Sequence, residues 1–353
     1  MRVADVSNPI HLDEGALLEA AHAGPATAAY SVLSDCACVV VELDGRSAAP
    51  GPPERAALSD WLNRQACAVV AVAAAGIDHP LAFACDAVAV DAEDLRELLT
   101  NIERAPIAAM VLTQLLRTTE GIDAERALVF ESLAYATLQT GAEFQSWLRE
   151  SGPPPRGAAA ETGPAVRIER RGAELDLELN RPARRNALSV EMRDALVEAL
   201  ELVAADATIR RVYVSGAGKC FSTGGDLSEF GTAADAASAH AVRSTRSVPA
   251  LLVRCAERLT FRVHGAAVGA GIEMAAFGRR IEASPDAFFQ LPEIRYGLIP
   301  GSGGCVSVPR RIGRLRTAYW ALSARRVDAH TAFAWGLVDA LNERAVAASI
   351  EEL

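Results

Sequence analysis

The stretch Val263-His-Gly-Ala-Ala-Val-Gly-Ala-Gly-Ile-Glu-Met274 decides how this chain reads. An apolar strand-like run, Leu259 to Val263, ends there and a helix start crowded with small residues follows. The first N–H groups of a helix have no intrahelical acceptor and lie at the positive end of its dipole. Such an end suits an anion or a polarised carbonyl. Gly265, Gly269 and Gly271 miss the spacing of a dinucleotide-binding GxGxxG. A Gly/Ala helix packed closely on a sheet accounts for most of these residues, but not for Glu273. A carboxylate among apolar neighbours is costly unless it is paired or at work.

Two further segments have the same character. Lys219-Cys-Phe-Ser-Thr-Gly-Gly-Asp-Leu-Ser-Glu-Phe230 follows a buried strand over Arg211 to Ser215. Two glycines at a strand end let the backbone turn sharply and leave an N–H exposed, and such an N–H stabilises a developing oxyanion. A tight turn capped by Asp226 explains the same letters. Phe288-Phe-Gln-Leu-Pro-Glu-Ile-Arg-Tyr-Gly-Leu-Ile-Pro-Gly-Ser-Gly-Gly304 places Glu293 after a proline and ahead of a glycine loop leading into the next helix. A salt bridge to Arg295 is the structural alternative for that acid.

Around these segments strands and helices alternate. A hairpin over Ala165 to Leu179 turns at Arg171-Gly172. Ser189 caps a helix to about Ala205 with Met192, Leu196 and Leu200 on one face, and Ala287 to Leu291 reads as another strand. That order is an α/β pattern. Upstream, Ser151 to Pro164 is rich in Pro, Gly and Ala and reads as a linker. Before it, Cys38 to Leu43 and Ala68 to Ala73 are strand-like, with helical spacing between Glu54 and Gln65. Helices follow from Asp91 to Arg104, Pro106 to Arg117 and Asp123 to Gln139, with a short one ending at Trp147 and Leu148. The expected domains are 1–150, a small α/β unit ending in helices; 151–164, a linker; and 165–353, the core that carries the chemistry.

Composition excludes several classes. The 353 residues are half hydrophobic, and the formal charge is −10, opposite in sign to a general nucleic-acid binder. Arginine supplies the positive charge apart from Lys219. Seven scattered cysteines form no CxxC pair and read as buried thiols of a reducing compartment. The N-terminus lacks a secretory pattern, and the longest apolar stretch, Ala66 to Gly76, is too short for a bilayer. A cytoplasmic location is expected, with no membrane partner, no nucleic acid and no metal site.

The three segments, in this order and spacing, resemble the signature of the crotonase (enoyl-CoA hydratase/isomerase) superfamily, here an actinobacterial-type member with an atypical N-terminal extension. Leu179-Asn-Arg-Pro-Ala-Arg-Arg-Asn-Ala-Leu188 is similar to that family's CoA-contacting turn, and the run from Ala324 to Asp339 to a downstream segment. The resemblance covers residues 165 to 340. It implies a ββα spiral core and an oxyanion hole made by the N–H groups of Gly225 and Ala270. It implies Glu273 and Glu293 as acid/base pair, and CoA contacts at Ala183, Arg184, Arg185, Asp226 and Leu227. Hydration of a 2-enoyl-CoA uses both acids: one carboxylate activates water and one carboxylic acid protonates the α-carbon. The implied substrate is an acyl-CoA thioester, with no separate cofactor because coenzyme A belongs to the substrate. The implied assembly is a homotrimer or a dimer of trimers.

Two departures from the family pattern qualify that expectation. The family's C-terminal helices are missing after Asp339, and stretches within residues 84–144 resemble them. This suggests a shrunken crotonase-like unit over 1–150 whose helices cover the active core. Alternatives on the same scaffold are an enoyl-CoA isomerase, an acyl-CoA hydrolase and a cofactor-free arylacetyl-CoA dioxygenase. A non-catalytic acyl-CoA-binding or assembly subunit is the alternative of another class. His264 reads as a loop filler, whereas His240, Arg243 and Arg246 fall where the family lines its acyl pocket.

Overall fold

A computed structural model describes residues 9–23, 30–43, 48–152 and 161–342. The chain divides into two compact units. One runs to Ile122 and takes in Glu293–Ile299 and Gly313–Ala324; the other comprises Asp123–Pro292, Pro300–Ile312 and the chain from Arg325.

The first unit is built on a four-stranded, wholly parallel sheet in the order β1 (Ile10–Asp13), β2 (Cys38–Glu42), β3 (Ala68–Val72), β4 (Ala87–Ala89). The runs CVVVE and AVVAV are buried along almost their whole length, as a parallel sheet covered on both faces requires. The helices are α1 (Glu14–His22), α2 (Pro52–Asn63), α3 (Ala92–Arg104) and α4 (Pro106–Thr119). Asp91 caps α3 by accepting from the N–H groups of Glu93 and Asp94. A charged knot closes the unit. Buried Asp86 takes Arg117 in two contacts, accepts the Val69 N–H at 2.8 Å and lies 3.4 Å from Arg314. The later segment joins through Tyr319, which donates to Asp94 at 2.7 Å, and through Asn101, which donates to the carbonyls of Leu322 and Ser323.

The second unit opens with α5 (Ala124–Gln139) and α6 (Ala142–Ser151), then β5 (Val166–Arg171), β6 (Glu174–Leu179), α7 (Val190–Ala205), β7 (Arg211–Gly216), α8 (Ala236–Thr245) and α9 (Val248–Cys255). There follow β8 (Leu259–Val263), β9 (Ala266–Val268), α10 (Ala270–Ala275), β10 (Arg280–Ala283), β11 (Phe288–Gln290), α11 (Gly304–Ser323), β12 (Val327–Asp328), α12 (Ala329–Trp335) and β13 (Ala340–Leu341). Helix α11 breaks at Gly313, where φ is +79°, and the boundary between the units falls there. One sheet has the order β13-β10-β8-β7-β6-β5, parallel except for the β5–β6 hairpin. A smaller sheet has the order β12-β11-β9. The chain steps repeatedly from the first sheet to the second: β8 to β9 and then α10, and β10 to β11. After β7, Ser222 bridges to Ala267 of β9 in the same way. This is a ββα spiral, and it brings successive sheet-to-helix loops to one place. Among the described residues no helix is long and apolar enough to cross a membrane.

Two expectations change. The boundary falls at Ile122/Asp123 rather than in 151–164, of which 153–160 lie outside the described residues. The reason is packing: α5 lies on α8 and α9, and Phe144 and Trp147 of α6 stack at 5.8 Å with Phe230 beside them at 6.3 and 6.4 Å. Residues 266–268, read as part of a helix start, instead form a strand paired with β11; the helix begins at Ala270 and is short. Tertiary pairing overrides the low strand propensity of Ala-Ala-Val.

Candidate active site

The loop after β7 lies along the β9–α10 turn. Ser222 donates its N–H to Ala266 at 3.0 Å and accepts from Val268 at 3.0 Å. Gly224 has φ +88°, and a Cβ there would stand 2.7 Å from the Val268 oxygen and 3.4 Å from the Ala270 nitrogen. Only glycine combines that backbone conformation with so close an approach. The neighbouring N–H groups of Gly225 and Ala270 donate no hydrogen bond among the described residues. Ala270 is the first residue of α10, so its donor is one of the helix's unsatisfied ones. Two predicted main-chain donors thus come from adjoining loops.

Glu273 follows in the first turn of α10 and is 2% exposed. Its Oε2 accepts the N–H groups of Ser302 at 2.6 Å and Gly304 at 2.9 Å. Between and beyond these, Gly303 and Cys305 donate at 2.7 and 2.9 Å to the two oxygens of Glu131, on α5 and 1% exposed. The Arg243 guanidinium stands 3.8 Å from Glu131, over the Tyr135 ring, and donates to the Gly301 carbonyl. Burial first, and then the Glu273 charge, pushes Glu131 up to about 8; Arg243 and the two amides oppose this. Burial pushes Glu273 up to about 7 against its two amides and Arg243. The repulsion belongs to the pair: charge on either acid opposes charge on the other.

Beside these acids is a cavity of about 140 Å³. Leu128, Val242 and Met274 give it apolar walls, and Glu131, Arg243 and Arg246 give it polar ones. Arg243 and Arg246 both line it. His240 instead bonds to Ser132 at 2.9 Å.

The other expected residues fall as follows. Ala183, Arg184 and Arg185 are exposed on a short turn after β6. Arg184 lies 3.8 Å from Asp226, so two of the expected CoA contacts adjoin. Asp226 caps the next turn through Ser228, and Leu227 is exposed. Asn186, which the sequence reading passed over, ties this turn to the β7 loop. It donates to the carbonyls of Ala217, Cys220 and Phe221 and accepts from Arg181. Its φ of +52°, tolerated best by Asn after Gly, is the signal that sequence alone hides. Glu293 is buried on the turn Glu293–Tyr296 and belongs to the first unit. His264 is buried, with its Nε2 2.9 Å from the Gly218 carbonyl. Glu131 was not foreseen. Its signal was an acid four residues from Ala127 and from Tyr135, both buried.

A ββα spiral whose loops set unpaired main-chain donors beside a buried acid is the architecture of the crotonase-type α/β proteins. The family model described as enoyl-CoA hydratase/isomerase matches residues 170–349, and this chain belongs to that family. It is 36% identical over 174 residues to 2,3-dehydroadipyl-CoA hydratase of Escherichia coli (strain K12), covering 48% of this chain and 66% of that one. It is 34% identical over 169 residues to 1,2-epoxyphenylacetyl-CoA isomerase of the same organism, covering 46% and 64%. A crystal structure of an enoyl-CoA hydratase/isomerase from Mycobacterium paratuberculosis aligns with TM-score 0.48 and 28% identity over 53% of this chain and 76% of that one. The chain thus spans a little under two thirds of the length of the first curated relatives it matches.

Proposed function

We propose that this protein binds an acyl-CoA thioester and stabilises its enolate between the N–H groups of Gly225 and Ala270, with Glu273 moving the proton. The reaction we assign is hydration of a 2-enoyl-CoA. Water adds across the double bond: its oxygen goes to the β-carbon as one carboxylate takes a proton, and the α-carbon receives a proton from a carboxylic acid. Glu293 is the second acid in this reading, and Arg184 and Arg185 meet the CoA phosphates. The observation that carries it is the pair of unpaired main-chain donors on adjoining loops, one of them leading the helix that holds Glu273. A donor aimed at a developing oxyanion is worth about 3 kcal/mol, or roughly two to three powers of ten in rate.

The test is loss of enoyl-thioester absorbance on mixing the protein with short and long 2-enoyl-CoAs. Glu273→Gln should abolish it; a variant that keeps the native rate ends the assignment. Isomerisation is the second reading, favoured by the depth at which Glu273 is held, since one acid suffices to shuttle a proton between carbons. Glu293→Gln separates the two: hydration is lost with it, whereas double-bond migration survives.

A further inference from the structure

Four consecutive main-chain donors at the head of α11 are dealt out alternately to two acids from distant parts of the chain. Ser302 and Gly304 go to Glu273, Gly303 and Cys305 to Glu131. Both carboxyl groups are within 2% of full burial. The guanidinium that offsets their charge is that of Arg243, 3.8 Å from Glu131. Two full negative charges on one amide array, faced by one guanidinium, leave one buried charge without a counterion, which is strongly unfavourable. One proton on the pair removes that excess.

We propose that Glu131 is a positioning residue for Glu273, and that the two acids share one proton across the amides of residues 302–305. The inference rests on the reading of Glu273 as the acid/base of the reaction. In this arrangement Glu131 fixes the loop that orients Glu273. When Glu273 takes or gives a proton, the charge on Glu131 adjusts the cost of doing so. The helix that brings Glu131 precedes residues 170–349 of the family match, so the extension is a working part of the second unit.

Other charged groups face this region from the packed elements. From α8 come His240, bonded to Ser132, and Arg243; Arg246 follows α8 and lines the cavity, as does Arg193 of α7. From α9, Arg254 lies 3.6 Å from Glu125 near the start of α5. Asp123, the cap of α5, pairs with Arg126 at 3.3 Å. From α6, Glu143 stands in its first turn. None of these takes an N–H of the 302–305 loop.

The test uses the full chain in its native, Glu131→Gln, Glu131→Asp and Glu273→Gln forms. The pH profile of kcat with a 2-enoyl-CoA should show two ionisations in the native protein and one after Glu131→Gln. In that variant kcat should fall about 10- to 100-fold, with KM changed less than about threefold, because the loss is of orientation. Glu131→Asp, which keeps the charge, should restore part of the rate. A Glu131→Gln variant with the native profile and rate overturns the proposal. Carboxyl NMR of glutamate-labelled protein supplies a readout that needs no activity. The Glu131 resonance should titrate in two steps in the native protein, and in one step at lower pH after Glu273→Gln. An unchanged Glu131 titration in the Glu273→Gln variant overturns the proposal even where Glu131→Gln fails to fold. Linked titration of the two acids together with a fully active Glu273→Gln variant upholds the shared proton and overturns the catalytic reading instead.

Discussion

Gly304→Ala is the sharpest perturbation of this site. The φ of Gly304 is not left-handed, so alanine fits the backbone. At the start of a helix it would ordinarily be neutral or stabilising by up to about 1 kcal/mol. The surroundings reverse the sign. An added Cβ would stand 2.5 Å from Glu273 Cγ, 2.7 Å from its Oε2 and 2.8 Å from Pro300 Cβ. Carbon atoms settle at about 3.5–4.0 Å, so something moves by about 1 Å. The proline ring is stiff, and the side chain that yields is that of Glu273. A shift of about 1 Å carries its bonds to Ser302 and Gly304, now 2.6 and 2.9 Å, to or past about 3.5 Å. Overpacking costs about 1–3 kcal/mol in stability, and displacement of an acid/base group by about 1 Å costs on the order of 100-fold in rate. Enoyl-CoA turnover and a urea melt of the second unit measure both. A variant as active and as stable as the parent would show that Glu273 is not held where these contacts put it.

Other perturbations give equally definite outcomes. Asp86→Ala in the first unit leaves the Arg117 guanidinium and the Val69 N–H without their acceptor, and should cost about 3–5 kcal/mol by denaturant melting, with Asp86→Asn close behind. The pair Glu131 and Glu273, raised to about 8 and about 7 from an ordinary 4.5, binds more protons folded than unfolded between these values. Its contribution to stability is complete below about pH 4.5 and is lost as pH rises through 7 to 8, with a slope of at most about 1.4 kcal/mol per pH unit for each proton. Urea midpoints across that range should fall with pH, and Glu131→Gln should flatten the fall. His264→Gln should leave kcat within a few-fold of native, since His264 bonds the Gly218 carbonyl in the loop after β7; a loss of 100-fold or more would make it a participant. All seven thiols are free and buried, so a disulfide reagent should react slowly with native protein and promptly with all seven once it is unfolded.

Much of this architecture was legible because it is local. Ser189, Asp91 and Asp123 each accept from the first turn of the helix they precede, and cap chemistry of that kind is written within four residues. The apolar runs of β2, β3 and β8 announced buried strands in the same way. The pairing of Gly225 and Ala270 came only from the resemblance to the crotonase family; the small residues around them were legible as a sharp turn and a helix start. The strand Ala266–Val268 was not, since three small residues form a strand only when β11 and Ser222 offer them partners.

Glu131 marks the limit of such reading. Helix α5 leaves Val129, Phe130 and Leu133 exposed while it buries Ala127, Tyr135, Ala136 and Leu138, so its apolar letters mark no single face, and an acid among them looks like a solvated residue. What turns Glu131 inward is a set of donors some 170 residues later, at Gly303 and Cys305. A helix start with small residues offers more N–H groups than one carboxylate can take. Glu273 satisfies two of them, and the array is complete only when a second acid arrives. The glycine loop can be recognised from its own letters; the demand it makes on a distant helix can be seen only when the donors are counted in space.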